Sequence, residues 1–333
     1  MVRSLHTIFN KVIGIDNNER LNFFGTDGDT SSIKKYLIEN ISNYVHYDID
    51  IRDRSALTEL ISETSPDAII HCAAQPSHDL AAKIPFQDFE VNALATLNLL
   101  ETCRIYVPDI NFIFLSTNKV YGDHPNFLPM VELETRFDFA LDQQRKGIDE
   151  SMSIDQCTHS LFGVSKVAAD LLVQEYGRNL GMNTVCLRGG CLTGPAHRGA
   201  QLHGFLSYLG KCITKGLDYT IFGYKGKQVR DNIHCDDVAK LVELILQRPV
   251  QGKVYNLGGG PTNSCSMLEA ISAFEEISGQ KLSFRYVDDN RTGDHICYYS
   301  NLNKIKSDFP EWDVQINLNQ IYEEIYRSWL SSN

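Results

Sequence analysis

Apolar residues in the first half of the chain fall in short, nearly unbroken runs. Such runs predict β-strands buried on both faces of a parallel sheet. "KVIGID" (11–16), "YVHYDI" (44–49), "DAIIHCAA" (67–74), "NFIFLST" (111–117) and "NTVCLRGG" (183–190) are five of them. Between them, apolar positions recur at helical spacing over 55–64, 89–106 and 161–180, which predicts amphipathic helices. Strand and helix in alternation predict right-handed βαβ crossovers, hence an α/β fold with a doubly wound parallel sheet.

The second half is less regular. "YTIFG", a helix over 235–247, "KVYNLGGG", a helix over 266–278 and a terminal helix over 318–330 predict a smaller α/β lobe. The expected division gives the sheet domain residues 1–194 with 229–258, and the lobe residues 195–228 with 259–333. At the start, Val2, Leu5, Ile8 and Phe9 lie on one helical face.

Composition narrows the class. The 333 residues are 43% hydrophobic and 22% charged, ordinary for a globular protein with a sizeable core. A formal charge of −11 offers no electrostatic footprint for nucleic acid or an anionic membrane. The nine cysteines show neither C-x-x-C nor paired Cys/His spacing, so no metal site is expected. They read as small core residues of a reducing compartment, and with no apolar leader the cytoplasm is expected.

Candidate chemistry begins at the strand ends. Asp16 closes "VIGID", where a dinucleotide fold places an acceptor for the adenine ribose hydroxyls, and Asn17 follows it. Asp50 and Ile51 close the next strand, where an adenine edge and face would lie. "HCAAQ" adds Ala73 and Ala74, small enough for close backbone approach, and Gln75. Taken singly, Asp16 could equally cap a turn; the order and spacing carry the reading. A Gly-rich strand–turn–helix for a pyrophosphate does not precede Asp16, so roughly 20 further residues, a strand, turn and half helix, are expected upstream.

"HSLFGVSKVAAD" (159–170) supplies the next signal, and the motifs around it act together: "DIRD", "VNALATLNLLE", "STNKVYG", "LRGGCLTGP", "GKQVRDNIH" and "YNLGGG". In combination they resemble the extended short-chain dehydrogenase/reductase superfamily, within it the nucleotide-sugar epimerases and dehydratases. "STNKVYG" and "GKQVRD" look most like the branch that inverts C2 of a CDP-linked sugar. The resemblance implies a Rossmann-like domain, bound NAD, a nucleotide-diphosphate sugar substrate and a homodimer or homotetramer paired through the helices after Asn92 and around Lys166. It implies transient oxidation at C2 and hydride return, serving surface-polysaccharide synthesis.

Carried over by position, Thr117 hydrogen-bonds the reacting oxygen, Lys166 holds the nicotinamide ribose, and Asn92 lines the cofactor cleft with Thr96 a turn later. Phe162 stands where the family has its catalytic tyrosine, and a phenyl ring carries no proton. Thr117, Tyr121, His159 and Lys166 are the candidate replacements. On the substrate side the resemblance points to Asn118, Arg188, His203, Phe205, Arg230 and Arg291, with Lys227 beside Arg230. Gly189 and Gly190 would let the backbone approach the ligand closely. For Arg230 a structural Arg–Asp pair is the competing reading. Dehydratases place an acidic pair after the Ser/Thr; here Asn118 and Lys119 stand there, which disfavours dehydration. A non-catalytic nucleotide-sugar-binding remnant is the third reading.

Overall fold

The computed structural model describes all residues except Leu202, Thr292, Ser332 and Asn333. The chain divides into two compact units. One comprises Met1–Val120, His159–Arg188 and Ala239–Tyr255; the other comprises Tyr121–Thr158, Gly189–Val238 and Asn256–Asn333.

The first unit is α/β, as the alternation predicts. Four strands hydrogen-bond in the order Lys253–Leu257, Asn183–Gly189, Asn111–Thr117 and Ala68–His71, the last two running parallel. Val12–Ile15 and Tyr44–Tyr47 form a separate parallel pair. Thus Val12–Ile15 and Ala68–His71 each have one hydrogen-bonded strand neighbour among the described residues. Their burial follows from that position: Val12–Ile15 is half-buried throughout, whereas Phe112, Ile113 and Phe114 of the inner strand are buried.

One core joins these strands to the helices Arg54–Thr64, Ala95–Tyr106 and Leu161–Arg178, through Leu57, Leu100, Phe112, Phe114, Ala169 and Val173. Each large side chain there contributes about 1.5–3 kcal/mol by leaving water. Gly14 has a packing reason as well, because a Cβ on it would meet the Tyr44 hydroxyl at 2.0 Å.

Helix boundaries follow local chemistry. Asp53 caps Arg54–Thr64 by accepting from Ala56 N, and Ser160 caps Leu161–Arg178 by accepting from Gly163 N. The expected helix over 89–106 is interrupted: Pro85–Phe89 leads through a π-helical turn, Glu90–Leu94, into Ala95–Tyr106. At the start, Val2–Leu5 is a single α-turn followed by the 3-10 turn His6–Ile8.

The second unit holds a three-stranded sheet ordered Ser264–Ser266, Val229–His234 and Cys191–Thr193. It also holds a parallel pair, Tyr219–Phe222 with Phe284–Val287, and a hairpin, Met130–Glu132 with Phe137–Phe139. Its core gathers Leu209, Cys212, Phe274, Ile321, Tyr322 and Ile325 from the helices Phe205–Lys215, Met267–Ser278 and Leu318–Leu330. Ser266 and Glu269 form a reciprocal capping box that starts the second of these. Among the described residues no helix is long and apolar enough to cross a membrane.

Candidate active site

In the first unit, the Leu161–Arg178 helix packs on the Asn111–Thr117 strand and sets Lys166 against Leu115, two residues before Thr117 and one helical turn after Phe162. Lys166 is buried, its Nζ donating to Leu115 O at 3.1 Å and lying 4.2 Å from the Phe114 ring centroid. Burial depresses its pKa to about 8, and the Asp170 carboxylate partly offsets that effect. Thr117 Oγ1 accepts from Lys119 N at 3.2 Å and donates to Asn118 Oδ1 at 3.5 Å, with Asn118 itself buried.

Beneath this strand end lies Asp170, which the sequence reading did not single out. It accepts from Ser116 Oγ at 2.6 Å, Gln174 Nε2 at 2.6 Å, Arg188 Nη2 at 2.9 Å and Arg188 Nε at 3.2 Å. Arg188, expected on the substrate side, is therefore drawn into a buried pair that braces the strand carrying Thr117. This departs from the expectation, for a guanidinium committed to a buried carboxylate from two nitrogens has little left for a phosphate.

Gln75 and Asn92 are buried and bond to each other's neighbours. Asn92 Oδ1 accepts from Gln75 N at 2.9 Å, and Asn92 Nδ2 donates to Gln75 O, Asp88 Oδ1 and Ser165 Oγ. Gln75 Nε2 donates to Asp88 Oδ1 and Ser77 O. Desolvation raises the Asp88 carboxyl despite its donors Ser165 and Gln75. The network ties the loop after Ala68–His71 to the Leu161–Arg178 helix. Thr96 donates to Asn92 O at 2.7 Å and meets His71 Nε2 at 3.0 Å; burial pushes that imidazole down to about 3.

Nearer the strand ends, Asp16 is exposed and accepts from Asn18 N at 2.7 Å. Asp50 accepts from Asn17 Nδ2 at 3.2 Å and from Arg52 Nε at 2.9 Å, and those bonds lower its carboxyl. Ile51, Ala73 and Ala74 are partly exposed.

The ring at position 162 is buried and packs edge-on against the His78 imidazole, centroids 4.9 Å apart at 60°. His78 Nδ1 lies 2.6 Å from Ser160 Oγ. His78 was not a candidate from sequence; only the loop's path after Gln75 brings it here.

In the second unit, Arg230 is mostly buried, pairing with Asp294 at 2.6 Å and donating to Val229 O. The Arg–Asp pairing weighed against a ligand role is thus present, with Asp294 and not the adjacent Asp231 as partner. Asp231 is fully buried, accepting from Ser300 N at 2.9 Å, and burial raises it to about 6. A Cβ on Gly190 would meet Asp231 Oδ1 at 2.3 Å, so that glycine answers to Asp231 and not to a ligand. Lys227 pairs with Glu132 at 2.8 Å.

His203 stacks edge-on with His197, centroids 5.6 Å apart, and Phe205 opens its helix against the second core. Arg291 is partly exposed, and its carbonyl accepts from Asp294 N at 3.2 Å. One group among the described residues, His234, Cys235 and Asp236, has metal-ligand spacing. His234 Nδ1 already accepts from Asp236 N, and Nε2 faces Glu324 at 3.1 Å, so the ring serves the start of the Cys235–Gln247 helix.

Residues 2–258 match the model of the NAD dependent epimerase/dehydratase family. CDP-paratose 2-epimerase from Salmonella typhi is 32% identical over 302 residues, covering 89% of this chain and 87% of that protein. dTDP-glucose 4,6-dehydratase from Salmonella typhimurium is 26% identical over 363 residues, covering 98% and 94%. Among solved structures, a mutant of UDP-glucuronic acid 4-epimerase from Bacillus cereus, bound to a fluorinated UDP-sugar and NAD, gives a TM-score of 0.79. It is 23% identical and the match covers 99% of this chain and 95% of that one, a likeness of fold.

Proposed function

The chain belongs to the NAD-dependent epimerase/dehydratase family, and from that premise we propose that it inverts C2 of a CDP-linked 3,6-dideoxyhexose of the paratose/tyvelose type. The observation that carries the reading is the buried Lys166 ammonium held two residues from Thr117, at the end of the strand that Asp170 and Ser116 brace. Similarity to the Salmonella typhi 2-epimerase supports the C2 branch. Asn118 and Lys119 following Thr117 support epimerisation over dehydration, since neither side chain removes a ring proton as a carboxylate would.

The residues present fit the two nucleoside ends of NAD. Asp16 and Asp50 are acceptors at strand ends, and one of the three Lys166 N–H donors is bonded, to Leu115 O, leaving donors for ribose hydroxyls. Asn17, Ile51, Ala73 and Ala74 would border the adenosine, while Gln75 and Asn92 hold the loop in shape. When bound, NAD supplies a hydride acceptor that later returns the hydride. In this reading Thr117 orients the C2 oxygen and Asn118 stands beside it, whereas Arg230, paired with Asp294, keeps the structural role.

The same reading pairs two copies of the chain through the helices after Asn92 and around Lys166. Leu94, Ile105, Leu161, Val164 and Leu171 expose large apolar side chains on those helices, which supports it. The function is tested by incubating the protein with NAD and CDP-paratose and following the sugar by proton NMR. Inversion at C2 is expected. A 4-keto-6-deoxy product would assign a dehydratase, and binding without turnover would assign the remnant reading.

A further inference from the structure

We propose that Asp88 is a positioning residue for the cofactor. Its carboxylate locks the loop after Ala68–His71 to the helix that carries Lys166, and so fixes the spacing of the groups that meet NAD. The inference rests on the cofactor reading above, in which Ala73 and Ala74 border the adenosine and Lys166 serves a ribose.

Three observations carry it. First, Asp88 is 1% exposed, yet its two oxygens take donors from three different elements. Oδ1 accepts from Gln75 Nε2 at 2.7 Å and from Asn92 Nδ2 at 3.1 Å, and Oδ2 accepts from Ser165 Oγ at 2.6 Å. Gln75 lies in the loop, Asn92 in the π-helical turn Glu90–Leu94, and Ser165 beside Lys166 on the Leu161–Arg178 helix. A carboxylate only accepts, so it can take donors from all three at once.

Second, the loop is built to transmit that hold. Asn92 Oδ1 accepts from Gln75 N at 2.9 Å and its Nδ2 donates to Gln75 O at 3.0 Å, which fixes both backbone groups of Gln75. The Gln75 side chain closes on Ser77, Oε1 accepting from its N at 2.6 Å and Nε2 donating to its O at 2.9 Å. Asp88 therefore orients both amides. Each turns its nitrogen to the carboxylate and leaves its oxygen for a backbone N–H of the loop. Gln75, Ser77, Asn92 and Ser165 are all buried, and a buried network whose members are bonded in this way is rigid.

Third, Ser165 delivers the hold next to Lys166. Its hydroxyl donates to Asp88 and accepts from Asn92 Nδ2 at 3.0 Å, one residue before the buried ammonium.

The bonding pattern says which substitutions discriminate. Asparagine keeps Oδ1 for the two amides, and its nitrogen can donate to Ser165 Oγ, whose own hydrogen then turns to Phe162 O at 3.0 Å. Leucine fills a similar volume and accepts nothing. In that variant each donor retains a second acceptor: Ser77 O for Gln75, Gln75 O for Asn92 and Phe162 O for Ser165. No buried donor is stranded, so the chain should fold.

The test compares the full chain, stripped of nucleotide, as wild type, Asp88→Asn, Asp88→Leu and Ser165→Ala, each checked for fold by far-UV circular dichroism. By calorimetry, Asp88→Leu should raise Kd for NAD about tenfold or more, the scale of one or two lost hydrogen bonds. Asp88→Asn should stay within about threefold of wild type, and Ser165→Ala should exceed about threefold. With no ligand present, hydrogen exchange of peptides covering Gln75 and Ser77 should quicken about tenfold in Asp88→Leu and not in Asp88→Asn. A merely space-filling Asp88 would treat Asn and Leu alike.

A Kd within about twofold of wild type in Asp88→Leu, or equal losses in Asp88→Asn and Asp88→Leu, overturns the proposal. If Asp88→Leu does not fold, Ser165→Ala decides, and a Kd within about twofold of wild type there overturns it. Faster exchange with an unchanged Kd also overturns it, since the loop would then be fixed for something other than NAD. Wild type that binds no NAD overturns the cofactor placement itself, and the role of Asp88 with it.

Discussion

Replacing Asp170 by Ala should destabilise the protein far more than its lack of exposure to ligand would suggest. The carboxylate is 1% exposed and its partner Arg188 is 5% exposed. Removing it strands a buried guanidinium and leaves Ser116 Oγ and Gln174 Nε2 without their acceptor. Breaking one side of such a pair costs about 3–5 kcal/mol. Arg188→Met should cost less, about 2–3 kcal/mol, because Ser116 and Gln174 still satisfy the carboxylate.

In the double variant neither the guanidinium nor the carboxylate of this pair is left stranded, so its loss should fall short of the sum by about 1.5–3 kcal/mol. Urea unfolding followed by far-UV circular dichroism measures all three, because Trp312 and Trp329 both belong to the second unit and report poorly on this one. Additive effects within 0.5 kcal/mol, or an Asp170→Ala loss below about 1 kcal/mol, would refute the reasoning.

Two further outcomes follow from buried charges. Lys166 is lowered from 10.5 to about 8, which corresponds to about 3 kcal/mol held against its charged form. That cost is complete below pH 8 and fades as pH rises towards 10.5, so Lys166→Met should abolish turnover while leaving stability at pH 7 unchanged or higher. A loss of 2 kcal/mol by urea unfolding would contradict this. Asp231 is raised from 3.8 to about 6, so its burial cost is absent below pH 3.8 and complete above pH 6. Stability should therefore fall by about 3 kcal/mol as pH rises through that window, and Asp231→Asn should flatten the slope in a pH series of unfolding curves.

Much of the first unit was legible in the chain because apolar periodicity and strand-end chemistry are local properties. The five early strands and the helix carrying Lys166 stand where the pattern places them, and Cys235–Gln247 and Leu318–Leu330 match to the residue. The pattern missed the Met130–Glu132 hairpin, whose three-residue strands are too short to form a run, and the Phe205–Lys215 helix, although its Leu206, Leu209, Cys212 and Ile213 recur at helical spacing. It also read Glu90–Leu94 as regular helix, although a π-helical turn sits there beside the buried Asn92.

The site was legible as residue types but not as partnerships. "FGVSK" pointed to Lys166 and to the missing hydroxyl, yet nothing in the sequence linked Arg188 to Asp170 eighteen positions earlier, or Arg230 to Asp294. His78 lies 84 positions before Phe162, opening the short helix His78–Ala81 after a loop whose course depends on the Gln75, Asp88 and Asn92 bonds. The "SK" signal named Ser165 only as a neighbour of Lys166; in the fold it donates to Asp88 and receives from Asn92.

The central claim is reversible hydride removal at C2, and one labelling measurement tests it most directly. CDP-paratose carrying deuterium at C2 is incubated with the protein and NAD in ordinary water, and the product is read by NMR. The account predicts inversion at C2 with the deuterium retained on that carbon. Inversion with the label lost to solvent, or a sugar left unchanged after prolonged incubation, would contradict it.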